Sequence, residues 1–244
     1  MVRNNNFSND ANSLINKHVN ADNQKIKLMK KLAIQWLIAI VIFPNILFGQ
    51  KVIEYNFAEL FRNGQLIAKN RVITIERDES GEFIRLGKDM VGSAILLPVD
   101  DFKRGKIEAL VRGKDIFQGS FAGLAFHAQS DSIFDLVYCR PFNFQTADSL
   151  RRIHMIQYAF FPKLDWQVLR VKYNGIYEKG IANPPKADDW FKLTLDVDDK
   201  QVKAYINDSN VPTLVVEKLN NISDGKVGIF GLNADFKSIK IEYK

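Results

Sequence analysis

Trp190–Val197 (WFKLTLDV), Gln201–Ile206 (QVKAYI), Thr213–Glu217 (TLVVE), Lys226–Leu232 (KVGIFGL) and Phe236–Tyr243 (FKSIKIEY) follow one another at the end of the chain, each separated from the next by turn residues. Every stretch is shorter than an ordinary helix, rich in Val, Ile, Leu and Phe, and apolar at every second position or nearly continuously, which is the pattern of a strand. The separators Asp198-Asp199-Lys200, Asn207 to Asn210 and Ser223-Asp224-Gly225 supply the positive-φ or side-chain-bonded positions that hairpins need. A run of short hairpin-linked strands with one wet and one dry side predicts a β-sandwich.

Working back toward the start, the same signature predicts strands near Val52–Phe57, Arg71–Arg77, Phe83–Leu86, Ser93–Leu97, Gly105–Arg112, Ser120–Ala128, Phe134–Arg140, Ile153–Phe160 and Gln167–Lys172, with a turn at Asp78–Gly81. Several carry apolar residues on both faces, as Ser120–Ala128 does, and so belong in the middle of a layered structure. Helix is expected only at Asp148–Ile153, where Asp148 is a suitable cap. The predicted class is all-β, a two-layer antiparallel sandwich. The segment Pro141–Asp189 alternates less regularly and concentrates Arg, His, Gln, Tyr and Trp, as a functional insertion would.

Ahead of this domain, a polar Asn-rich run gives way to Lys30-Lys31 and the apolar stretch Leu32–Phe48, ending in Gly49 before Gln50. Cationic start, apolar core and small residue are the layout of a secretory signal, so the expected organisation is a polar leader over 1–28, a signal peptide over 29–49 and the sandwich over 50–244. Met29 stands directly before the lysines, leaving Met1 or Met29 as the translation start. The alternative is an uncleaved membrane anchor through 32–48, but Pro44 and Asn45 interrupt a run shorter than the ~20 residues of a spanning helix. The expected address is periplasmic or extracellular.

The whole chain has 34 Lys and Arg against 28 Asp and Glu. Six of those bases and two of those acids precede Gln50, leaving 28 against 26, a net charge of +2 for the domain. So small a charge offers no global field for a phosphate polymer, and nucleic acid is not an expected partner. The single cysteine, Cys139, excludes an intramolecular disulfide and reads as a small buried hydrophobe.

Three groups of segments carry a resemblance to a known family: GKIEALVRG with SFAGLAFHA (105–128), VYCRPFNF with RRIHMIQY (137–158), and DDWFKLTLDVDDKQVKAYIND with GKVGIFG and DFKSIKIEY (188–243). The chain resembles the concanavalin A-like lectin/glucanase superfamily, in its bacterial laminin-G-like and 3-keto-disaccharide-hydrolase-like branch. The resemblance spans about Glu54–Lys244. It implies a jelly-roll sandwich whose concave sheet and rim loops bind carbohydrate, and, by way of some laminin-G-like domains, calcium. Paired acids at Asp100-Asp101, Asp188-Asp189 and Asp198-Asp199, with Asp224, are the available ligands, although such pairs are commonly plain turn residues. The expectation is therefore no metal and no cofactor, with calcium as the alternative.

Glucanases of this superfamily bear closely alternating carboxylates on one strand, a spacing absent here. The expected function is therefore non-catalytic carbohydrate binding. The alternatives are a glycoside hydrolase of the 3-keto-disaccharide type, using Asp135 or Glu178 with His154, and a structural module of the cell envelope. For binding, the candidates are Arg140, Asn143, Arg152, His154, Gln157, Tyr158 and Trp166, which combine hydrogen-bond donors with aromatic faces. Alternation along 152–160 would put Arg152, His154 and Tyr158 on one face, and the binding reading expects these three and Trp166 to meet in one open concavity. The competing reading makes the same residues an internal polar network. His127, between core-like neighbours, and Trp190, at the head of its strand, read as structural.

Overall fold

The computed structural model of the chain describes residues 24–30, 51–67, 71–88 and 92–244. Two units are distinct, Met1–Gly49 and Gln50–Lys244. In the first, residues 24–30 are helical and exposed. The expected signal segment lies outside the described residues apart from its first two. Among the described residues no helix is long and apolar enough to cross a membrane.

The second unit is a sandwich of two antiparallel sheets, the class expected from the strand cadence. The larger sheet orders β12 (Leu214–Glu217), β11 (Gln201–Ile206), β10 (Phe191–Val197), β5 (Gly105–Arg112), β14 (Ala234–Tyr243), β3 (Gly81–Leu86) and β2 (Ile73–Asp78), with β1 (Val52–Asn56) also paired to β14. The smaller sheet orders β4 (Ile95–Leu96), β13 (Lys226–Leu232), β6 (Phe121–Ser130), β7 (Ile133–Cys139), β8 (Ile156–Phe161) and β9 (Glu178–Lys179). Between them Ile107, Val111, Leu193, Leu195, Phe236 and Ile241 of the larger sheet meet Leu124, Phe126, Val137, Tyr158 and Ile229 of the smaller one. Cys139 lies in this layer, fully buried, where desolvation pushes its thiol up and leaves it an inert hydrophobe.

The smaller sheet is apolar on its other face as well. Registered partners share a face, so Val137, opposite Leu124 and Tyr158, points inward, while Leu136, opposite Ala125 and Ala159, points outward into a second cluster with Phe134, Tyr138, Leu169 and Phe230. Leu169 comes from a helix, α3 (Trp166–Lys172), that lies over this face. The expected strand at Gln167–Lys172 is thus corrected. Asp165 accepts from the amides of Gln167 and Val168, at 3.1 and 3.0 Å, and this cap outweighs the β preference of Val168 and Val171. A second unexpected helix, α1 (Phe57–Arg62), begins at the Asn56 cap and buries Phe57, Ala58 and Leu60. The expected helix is present as α2 (Ser149–Arg152), capped by Asp148.

Trp190 belongs to a tie on the outer side of the larger sheet. Its ring meets Phe83 edge-on at 5.2 Å, the Arg112 guanidinium lies over it at 4.4 Å, and its Nε1 donates to Asp78 at 3.2 Å. Beside it, buried Asp235 of β14 accepts from Arg85 of β3 and Arg112 of β5, at 2.7 to 3.0 Å, riveting three adjacent strands.

Candidate functional site

Across the outer face of the smaller sheet, register sets Phe230, Gly123, Tyr138, Gln157 and Glu178 in one row. Gly123 is required there: a Cβ on it would stand 2.5 Å from the Cβ of Tyr138 and 2.7 Å from the Val137 carbonyl. The Tyr138 hydroxyl donates to Gln157 Oε1 at 2.9 Å and accepts from Arg140 Nη2 at 2.7 Å, while Arg140 also reaches Gln157 Oε1. Burial pushes the Tyr138 phenol up to about 12, with the Arg140 charge opposing and the Glu178 charge adding.

Glu178, at the edge, gathers basic side chains. His154 Nδ1 stands 2.7 Å from its Oε2, without hydrogen-bond alignment; Arg140 Nη1 is 3.6 Å away; Arg170 of α3 engages both carboxylate oxygens through Nε and Nη2 at 3.4 and 3.1 Å. Arg140, Gln157 and Glu178 are at most 5% exposed, whereas the Arg170 side chain is 37% exposed and lies over the ring of Trp166 at 5.2 Å. Trp166, 41% exposed, and Tyr173, 39% exposed, mark the open side of α3. Asn143 supports the rim from below: its Nδ2 donates to the His154 carbonyl at 2.9 Å, and its Oδ1 accepts from Arg151.

Four of the sequence candidates, Arg140, Asn143, His154 and Gln157, therefore come together, and Trp166 reaches them through Arg170. The other two do not join. Arg152 ends α2, exposed, with its Nε on the Thr146 carbonyl. Strand alternation does not extend to it because β8 begins only at Ile156. Tyr158 faces the interior of the sandwich, wholly buried, and donates to Asp135 Oδ1 at 2.6 Å. The expected single open concavity of Arg152, His154, Tyr158 and Trp166 is accordingly corrected to a mostly closed polar cluster with one open edge at Trp166 and Arg170. Glu178 and Arg170, absent from the binding candidates, are central to that cluster.

Asp135 anchors a second, interior cluster. Its Oδ1 accepts from Tyr158 and, at 2.6 Å, from Asn220 Nδ2, while Oδ2 lies 3.5 Å from His127 Nδ1. His127 Nε2 faces the Lys103 carbonyl at 2.8 Å, so it carries the proton. A β-bulge places this imidazole: register slips between Lys226 and Gly228 against β6, and His127 takes φ 48°. The extra residue turns its side chain toward Phe102 and the core, off the face that plain alternation assigns.

Three of the candidate calcium ligands have cationic partners. Asp100 pairs with Lys51, Asp101 with Lys226 at 2.9 Å and Asp199 with Arg104 at 3.8 Å. Among the described residues no three His, Cys, Asp or Glu gather around a common point. Among the described residues, clefts of about 430 to 480 Å³ open elsewhere on the surface, lined by residues outside both polar clusters. One of them is walled by Glu54, Glu108, Lys192 and Lys240, charges largely paired with one another, and lacks the convergent buried donors of the Arg140 cluster.

No family model and no curated protein matches the chain. Among solved structures it is similar to the carbohydrate binding module CBM66 from Bacillus subtilis, at 13% identity over 72% of this chain and 93% of that one, with a TM-score of 0.40. It is also similar to the galectin LEC-6 of Caenorhabditis elegans, at 12% identity over 61% and 89%, with a TM-score of 0.39. Domain 4 of AbnA, an extracellular arabinanase from Geobacillus stearothermophilus, is similar at 14% identity over 79% and 82%, with a TM-score of 0.42. The fold assignment rests on the strand order and register of the chain itself.

Proposed function

We propose that the chain is an exported carbohydrate-recognition domain that binds a glycan without transforming it, through the edge formed by Trp166, Arg170 and Tyr173 above the Arg140 cluster. The supporting observation is an exposed indole with the partly exposed Arg170 guanidinium beside it at the one open edge of the cluster: an aromatic face next to a held donor is what a sugar ring and its hydroxyls require. The two acids that a glycosidase mechanism would pair favour the same reading. Asp135 points into the sandwich and Glu178 outward from the same sheet, so they do not flank a common substrate groove. Export, to the periplasm or beyond, is part of the proposal and rests on the apolar segment 32–48; sequencing the mature N-terminus tests it, with a start near Gln50 as the expected result.

One observation favours the hydrolase instead, the 2.7 Å approach of His154 to Glu178, since an imidazole beside a carboxylate is a common acid–base pair. A glycan array and a hydrolysis assay on ordinary and 3-keto disaccharides separate the two. Binding without turnover, weakened about tenfold by Trp166→Ala, is expected for recognition. Turnover abolished by His154→Ala would overturn it in favour of the enzyme.

A further inference from the structure

Between Arg140 and Gly180 seven Lys and Arg residues stand against three acids, Asp148, Asp165 and Glu178, a local net of +4 in a domain of only +2. All three carboxylates are already engaged within the chain. Asp148 caps α2, Asp165 caps α3, and Glu178 is shared by Arg140, Arg170 and His154. One carboxylate thus serves two permanent cations, and the surplus charge emerges at Arg170, the more exposed of the two. Its Nε and Nη2 are held by Glu178, whereas Nη1 makes no hydrogen bond or ion pair among the described residues. The two bonds to Glu178 hold the guanidinium 5.2 Å from the centre of the Trp166 ring on a side chain 37% exposed, which leaves Nη1 as the remaining cationic donor beside an aromatic face.

We propose that this edge selects carboxylated sugars: a hexuronate residue stacks on Trp166 and its carboxylate accepts from Arg170 Nη1. This rests on the carbohydrate-recognition reading above and narrows it to an acidic ligand. A neutral hexose gains the stacking face but leaves the cationic surplus uncompensated, and a charge-assisted hydrogen bond separates the two by about tenfold in affinity.

The test uses the full chain and calorimetric titration with oligomers of galacturonate, glucuronate and mannuronate, each beside its methyl ester, together with neutral oligosaccharides. The ester keeps the sugar and removes the charge. At least one acid form is expected to bind about tenfold more tightly than its ester, to weaken as salt is raised, and to lose that preference in Arg170→Gln and, because a single ammonium cannot both hold Glu178 and present a further fixed donor, most of it in Arg170→Lys. An acid and ester bound equally, or neutral sugars bound with every uronate rejected, would overturn the acidic preference and leave carbohydrate recognition standing. Rejection of every glycan would overturn both. The acid-to-ester comparison is made on the unaltered protein, so it decides the matter even if Arg170 variants fold poorly.

Discussion

Glu178 shows how one residue can be both structural and a candidate for function. Its carboxylate compensates Arg140, which is only 5% exposed, so Glu178→Gln leaves a buried guanidinium without its counter-charge. The expected cost is about 3 to 5 kcal/mol, read from urea unfolding. Tyr158 is a milder case, because its hydroxyl both donates to Asp135 and accepts from the Leu219 amide at 3.1 Å. Tyr158→Phe should cost about 1 to 3 kcal/mol in the same measurement, with glycan binding unchanged, since this ring faces the interior. That separation of two faces by one residue was illegible in the sequence beyond the reach of simple alternation. Within β8, parity separates Tyr158 from Gln157 as observed but does not say which face is open: Tyr158, expected in the concavity, faces the interior, and Arg152 and His154 precede the strand and escape the rule. The pairing of His154 with Glu178 crosses the whole insertion, and no local pattern announces it.

At the scale of elements, strands bounded by explicit turn chemistry were readable nearly to the residue: Gly105–Arg112, Gln201–Ile206 and Lys226–Leu232 occur with the bounds expected. The errors arose where a cap competes with β-branched or aromatic residues. Asn56 and Asp165 each redirect an apolar run into a helix, and both caps were visible as residue types though not weighed against the strands they interrupt. The bulge that turns His127 inward has no counterpart in local composition. Because α3 has only seven residues and buries only Leu169, its helical state depends strongly on Asp165. Asp165→Ala is expected to lower stability by about 1 kcal/mol and to weaken glycan binding by displacing Trp166, with faster amide exchange confined to residues 166–172 as the accompanying sign.

For the whole molecule, pH acts on two different ties. Tyr138 has its pKa raised from 10.0 to about 12, so the folded state holds that proton more tightly than the unfolded chain. Its contribution is therefore full below pH 10 and lost as the pH rises toward 12, roughly 2 to 3 kcal/mol in total. Asp78 behaves in the opposite sense. Hydrogen bonds, led by the Ser80 hydroxyl and joined by Trp190 and Arg112, hold it well below its ordinary 3.8. The stability it confers is present above that value and declines as the pH falls further. Thermal unfolding followed from pH 2 to 12 should show both limbs, and Tyr138→Phe should reduce the alkaline one, to which the raised Cys139, Tyr158 and Tyr243 also contribute, while leaving the acid one unchanged. The Asp235 rivet is the complementary test on the larger sheet: Asp235→Asn removes the buried carboxylate shared by Arg85 and Arg112, which keep Glu76 and Asp78 as partners, and is expected to cost about 1 to 3 kcal/mol.

The smaller sheet ends on both sides in strands of two residues, Ile95–Leu96 and Glu178–Lys179. Such stubs present almost no ladder of free amides and carbonyls on which a neighbouring molecule might extend the sheet, and one of them ends in a lysine that a second chain would have to desolvate. A domain whose sheet is oily on both faces is thereby guarded against lateral growth into fibrils at the margins where growth would begin.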